Sequence, residues 1–139
     1  MATFYKPEPA GMIPADQIEG KAEIFVDFED RLTVFDTLIF CRFFGDMYLW
    51  EELGETVHAV TGLSGDKKNL LAVAKAVSDI VRKFNLREGL TADDDWLPKK
   101  LFTKLENTGR ELKAEELEYM RKEYYRLRGW DANGVPPEE

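Results

Sequence analysis

The chain has one cysteine, Cys41, and one histidine, His58, among 139 residues. One thiol excludes an internal disulfide. A zinc site or an iron-sulfur cluster takes four ligands, so either would need donors from another chain or segment. Basic residues are also in short supply: 19 Lys and Arg stand against 27 Asp and Glu, a formal net charge of -8. That balance repels phosphate backbones and anionic bilayers, so neither nucleic acid nor a membrane is expected as a partner. No uncharged run approaches the roughly 20 residues that span a bilayer, and the N-terminus lacks a basic segment followed by an apolar one; the expectation is a cytoplasmic protein. A Gly-rich phosphate loop, a nucleophile elbow and a His-containing triad are all missing, which leaves no self-contained active site.

What remains is a globular composition. The chain is 44% hydrophobic and 33% charged, enough apolar material for a single domain that buries roughly 68% of the surface of its unfolded form. The opening 1–19 carries Pro7, Pro9 and Pro14 and reads as an extended lead-in. A helical domain is expected over 20–136, with a short tail at 137–139.

Within that domain the apolar residues recur at three- and four-residue steps. From Ile18 onward, Phe25, Phe28, Leu32, Phe35 and Ile39 predict a helix of about 18 residues, with Asp27, Glu29, Asp30 and Arg31 mostly off its stripe. Trp50, Leu53, Val57 and Val60 predict a second, capped by Asp46 and ended by Gly62. Leu70, Val73, Ala74, Val77, Ile80, Val81 and Phe84 predict a third, with Ser64 and Asp66 as capping candidates. The stretch from Asn85 to Phe102 reads as a loop with at most a helical turn around 97–105. Leu117, Met120, Tyr124 and Leu127 predict a fourth helix, with Glu115 and Glu116 in its first turn and Gly129 as terminator. The fold class is therefore all-α, a single irregular domain of about four main helices with long loops.

Few residues carry chemistry. Cys41, flanked by Phe40, Phe43 and Phe44, is either a small apolar core residue or a ligand whose partners lie outside the chain. His58 has no second His, Cys or acid four residues on, so it reads as structural. Asp93, Asp94 and Asp95 lack the pattern of a calcium loop and read as a solvated cap ahead of Trp96. Arg87 with Glu88, and Arg128 with Asp131, read as complements to helix ends.

Six short stretches, in order, resemble the C-terminal helical domain of the aldehyde:ferredoxin oxidoreductase family. Gly20-Lys21-Ala22 looks like the family's G-K-A opening, and Asp36 to Cys41 like its D-x-x-G-L-C run, with Ile39 and Phe40 standing where the family has Gly-Leu. Val60-Thr61-Gly62 follows. Arg82, Phe84, Asn85, Arg87, Glu88 and Gly89 match R-x-F-N-x-R-E-G, and Asp94-Asp95-Trp96-Leu97-Pro98 matches D-D-x-L-P. Tyr124, Tyr125, Leu127 to Asp131, Gly134 and Pro136 match Y-Y-x-L-R-G-W-D-x-x-G-x-P.

The resemblance implies the C-terminal part of a tungsten-pterin enzyme that oxidises aldehydes to carboxylates, its electrons leaving through a 4Fe-4S cluster to ferredoxin. By similarity Cys41 is the fourth cluster ligand and Asp36 contacts the pterin. It further implies a cofactor-binding N-terminal domain or subunit, absent here, that holds the other three cysteines. The isolated chain is expected to be inactive and to carry no cofactor, and an exposed docking face would favour a homo-oligomer. The alternative is a free-standing helical binding or scaffold module that keeps the fold without the cofactor.

Overall fold

Helix α1 (Lys21–Thr37) is the element on which the others assemble: α3 (Lys67–Arg87) and α4 (Ala114–Arg128) both pack along it, and α2 (Trp50–Thr61) packs on α3. The computed structural model describes residues 13–14, 17–45, 47–104, 106, 109 and 111–138. Four α-helices and short 3-10 turns at Arg42–Phe44, Ala92–Asp94 and Lys99–Phe102 make up its regular structure. There is no strand among the described residues, and the all-α class read from the periodicity holds.

The apolar core sits where the C-terminal half of α1 meets α2 and the start of α3. Val34, Phe35, Trp50, Leu53, Val57, Leu70 and Ala74 fill it, and Leu38, Phe40, Tyr48 and Leu71 close its edge. Burying each of the larger of these side chains contributes about 1.5–3 kcal/mol. Polar anchors hold the same corner: Trp50 Nε1 donates to Asp27 at 3.0 Å, and Lys67 reaches that carboxylate at 3.0 Å while lying over the Trp50 ring. Backbones meet at Gly54 and Gly65, where a Cβ on Gly54 would stand 2.2 Å from the Gly65 carbonyl oxygen.

Several expectations are corrected. The α1 stripe stops short of Ile39, which lies beyond the helix and is exposed, and Phe25 is half exposed. Asp30 and Arg31, expected off the stripe, are buried instead, because Arg128 and two loop carbonyls partner them. Leu49 occupies the N-cap of α2, not Asp46, which lies outside the described residues, and Val60 faces solvent. Asp66 stands at the N-cap of α3 but makes no side-chain cap, bonding Ser64 instead at 2.7 Å. That helix runs to Arg87, into the expected loop, and only Leu70 and Ala74 of its apolar stripe are buried. Arg128 pairs across the fold rather than with Asp131, whose Oδ1 accepts the backbone N–H groups of Asn133 and Val135. The expected lead-in lies largely outside the described residues.

Candidate functional site

The two residues assigned a cofactor role, Asp36 and Cys41, are brought to one turn at the C-terminal end of α1. The turn is a Schellman motif: Phe40 N–H donates to the Phe35 carbonyl at 2.9 Å and Ile39 N–H to the Asp36 carbonyl at 3.0 Å. The two aromatic rings close the motif edge-on, 5.7 Å between centroids. The same bonds end α3 at Gly89 and α4 at Gly129, both glycines with positive φ. At the end of α1 the left-handed position falls on Ile39, with φ 58°, and it is the only non-glycine with positive φ among the described residues. The Ile39 side chain is 92% exposed, so no packing compensates the steric cost of that conformation.

Two residues along, Cys41 precedes the 3-10 turn Arg42–Phe44 and is exposed, not the core residue that its apolar neighbours suggest. Its carbonyl accepts from Phe44 N–H at 3.0 Å, and Phe40, Phe44 and Tyr48 share a groove of about 290 Å³ with it. The next residue, Arg42, clasps Asp36 with both nitrogens, Nε to Oδ1 at 2.9 Å and Nη2 to Oδ2. These bonds hold the Asp36 carboxyl below the ordinary carboxylate range against a smaller opposing effect of burial. Buried Arg31 fastens the loop from beneath, its Nη1 donating to the carbonyls of Tyr48, at 2.8 Å, and Gly45. Neither arginine stood out in the sequence. Arg42 carries a readable signal, a cation beside the cysteine and six residues from Asp36; the bonds from Arg31 Nη1 are to backbone and carry none.

Apolar side chains close to Cys41 in the chain face outward: Ile39, Phe43, Phe44 and Met47 are all exposed. Among the described residues no group of three or more His, Cys, Asp and Glu side chains is placed to hold a metal. Cys41 therefore belongs to no such group among the described residues. His58 is exposed, its Nδ1 3.0 Å from the Leu63 carbonyl oxygen.

The longer sequence motifs converge at a different place. Arg82 of α3 makes a two-pronged pair with Asp95, 2.9 Å through Nη1, and its Nε donates to the Gly134 carbonyl at 2.8 Å. Tyr125 donates its hydroxyl to the same Asp95, and the Arg82 guanidinium lies 5.3 Å from the Trp130 ring centroid. Trp130 Nε1 in turn donates to Asp79 at 2.6 Å. Burial opposes the charge on Asp79, yet this bond and one from Lys75 hold its carboxyl low. Burial and the bond to Asp95 push the Tyr125 phenol up to about 12. Of the acidic triplet, then, Asp94 caps its turn by accepting from Thr91 N–H at 2.8 Å, whereas Asp95 belongs to this network. A second cluster joins α1 to α4: Arg128 bonds Asp30 and Glu29, and Tyr124 donates to Glu29 at 2.8 Å. These contacts tie α1, α3, α4 and the C-terminal segment together.

The whole chain, residues 1–139, matches the family model described as aldehyde ferredoxin oxidoreductase, domains 2 & 3. It is similar to the tungsten-containing aldehyde ferredoxin oxidoreductases of Pyrococcus furiosus and Pyrococcus abyssi, each 28% identical over 136 residues, and of Thermococcus kodakarensis, 27% identical over 136 residues. In each case the match covers 94% of this chain and 22% of the relative. The chain thus spans about a fifth of the length of these relatives. No solved structure gives a significant match. Among the described residues no helix is long and apolar enough to cross a membrane.

Proposed function

Because the chain belongs to the aldehyde ferredoxin oxidoreductase family, we propose that it forms one wall of a tungsten-pterin site whose other parts lie in polypeptide outside it. In this reading Cys41 gives a 4Fe-4S cluster its fourth thiolate and Asp36 contacts the pterin. The observation that carries it is an exposed thiol displayed on a fixed turn, held by the Schellman bonds on one side and by Arg31 on the other.

The donors fit the groups. A cluster of this kind is held by thiolates, and the aromatic groove beside Cys41 supplies the dry surroundings that tune one. Asp36 accepts from Arg42 with both oxygens, and each oxygen keeps a further acceptor position for a pterin N–H. Bound there, the cofactor would supply the two-electron oxidation of an aldehyde to a carboxylate, and the cluster one-electron transfer to ferredoxin. The chain's own residues orient and line the site: Arg42 holds Asp36 in its charged form, and Phe40, Phe44 and Tyr48 wall the groove beside the thiol. By itself the chain is inactive and holds no cofactor; in the cell it works in the cytoplasm with the cofactor-binding part.

The test pairs this chain with the upstream part of a family member and reads cluster iron and the electron paramagnetic resonance of the reduced cluster. Cys41→Ala is expected to lose both, and Cys41→Ser to shift the resonance. Unchanged iron and an unchanged signal in Cys41→Ala would remove Cys41 from the ligand set. Ile39 in the left-handed position favours a second reading, a helical binding module without cofactor. Assembly with a metal-free, freely alkylated Cys41 would support that one.

A further inference from the structure

Helix α3 carries an apolar seam that the described chain leaves largely open, with the Arg87 guanidinium over the Phe84 ring at one end. Val73, Val77, Ile80 and Phe84 recur at steps of four, three and four, which aligns them along one side of the helix for about 17 Å. Val73 is 45% exposed, Ile80 65% and Phe84 52%, while Leu70, Ala74 and Arg82 are buried. A side of α3 that is so apolar and so open is larger than scattered surface hydrophobics explain.

We infer that this seam of α3 is the docking surface for an amphipathic helix of the family's polypeptide outside this chain, in the four-fifths of the relatives' length that the match leaves out; this rests on the function proposed above. Three observations choose that occupant. The step pattern is that of a helix-to-helix seam, with β-branched and aromatic knobs suited to a facing helix. About four-fifths of the relatives' length lies outside this chain, so polypeptide to cover the seam exists in the family. The seam is also continuous with the candidate site: Val77 and its neighbour Val81 wall the same groove as Asp36 and Thr37 at the end of α1. A domain that brings ligands to Cys41 and a pterin to Asp36 therefore passes along α3. Lys83 flanks the seam, and the docked helix is expected to set a carboxylate beside it.

The experiment mixes the full 139-residue chain with the upstream four-fifths of the Pyrococcus furiosus relative and follows the complex by light scattering and amide hydrogen exchange. Complex formation with amides of residues 73–84 exchanging at least about tenfold more slowly than in the chain alone is the expected result. Ile80→Glu should weaken assembly about tenfold or more. Val60→Glu, at an exposed apolar position on α2, should leave it unchanged, and both variants should keep the helical circular dichroism of the free chain. A complex that forms with α3 unprotected, or equally well with Ile80→Glu, overturns the docking surface and leaves the proposed function standing. A chain that dimerises through α3 by itself, in a way Ile80→Glu abolishes, makes a second copy the occupant and also overturns it. Failure to form any complex counts against both the seam and the proposed function.

Discussion

Phe35 and Phe40 close the end of α1 twice over, by a backbone bond of 2.9 Å and by an edge-on ring contact, and that closure forces the residue between them, Ile39, into the left-handed region. A β-branched residue there costs about 1–2 kcal/mol, and glycine at the same position loses about 0.5–1 kcal/mol through its freer unfolded chain. Ile39→Gly should therefore stabilise the chain by about 0.5–1 kcal/mol, read as a higher urea midpoint at unchanged m-value. A lower midpoint would mean that the exposed Ile39 side chain makes contacts that offset its backbone strain.

Gly134 is under the opposite constraint. Its φ is 69°, and a Cβ added there would stand 2.5 Å from Arg82 Nη2 and 2.7 Å from Tyr125 Cζ. Arg82 cannot swing aside without giving up Asp95, and the Tyr125 ring is held in the core of the same network. Gly134→Ala should cost about 2–3 kcal/mol through strain and overpacking, measured by denaturant unfolding. A loss below half a kcal/mol would show that the C-terminal segment is not seated on Arg82 as described.

Helices were legible in the sequence because apolar residues at three- and four-residue steps mark them whatever they pack against, and Gly62 and Gly129 end theirs as read. Which face of a helix is inside was not equally legible. On α3 the apolar stripe and the inward face differ: Arg82 points in with Asp95 and Gly134 as partners, while Ile80 and Phe84 point out. Spacing within one helix does not report a partner that lies elsewhere. The burial and pairing of Arg128 and Asp30 were not legible for a related reason, since 98 residues separate the two ends of their bond. At the candidate site, Asp36 and Cys41 were legible through a motif, while Arg31 Nη1 fastens the loop through backbone carbonyl groups, which every residue possesses.

Arg128 and Asp30 also make a testable pair. Arg128 is 2% exposed and bonded to Asp30 and Glu29, and burial raises the Asp30 carboxyl above its usual value even with the cation beside it. Arg128→Met leaves a buried carboxylate without its counter-charge and should cost about 3–5 kcal/mol at neutral pH. Without the arginine, the Asp30 carboxyl rises further. A group whose folded value is raised contributes stability below its unfolded value and loses it as pH climbs through the folded one. The penalty of Arg128→Met should therefore shrink on acidification from pH 7 toward pH 4, where a protonated Asp30 needs no cation. Unfolding free energies at the two pH values check this; an equal penalty at both would assign the loss to the packing of the arginine stem.

Tyr125 extends the same logic to alkaline pH. Its hydroxyl donates to Asp95, and burial together with that bond raises its folded value to about 12, while burial carries Tyr124 higher still. The unfolded phenol titrates near 10. The stabilisation linked to Tyr125 is fully present below about pH 10 and is lost as pH rises through about 12, because the phenolate can no longer donate and is repelled by Asp95. Absorbance at 295 nm should show tyrosine ionisation delayed in the native protein relative to the chain in urea, and stability should fall across that interval. Tyr125→Phe should cost about 1–2 kcal/mol at neutral pH for the lost bond and the Asp95 oxygen left with fewer partners. In exchange its stability should decline less steeply between pH 10 and 12 than that of the unaltered chain. A decline of the same slope in both proteins would place the alkaline sensitivity outside Tyr125, with Tyr124→Phe as the next variant to distinguish the two phenols.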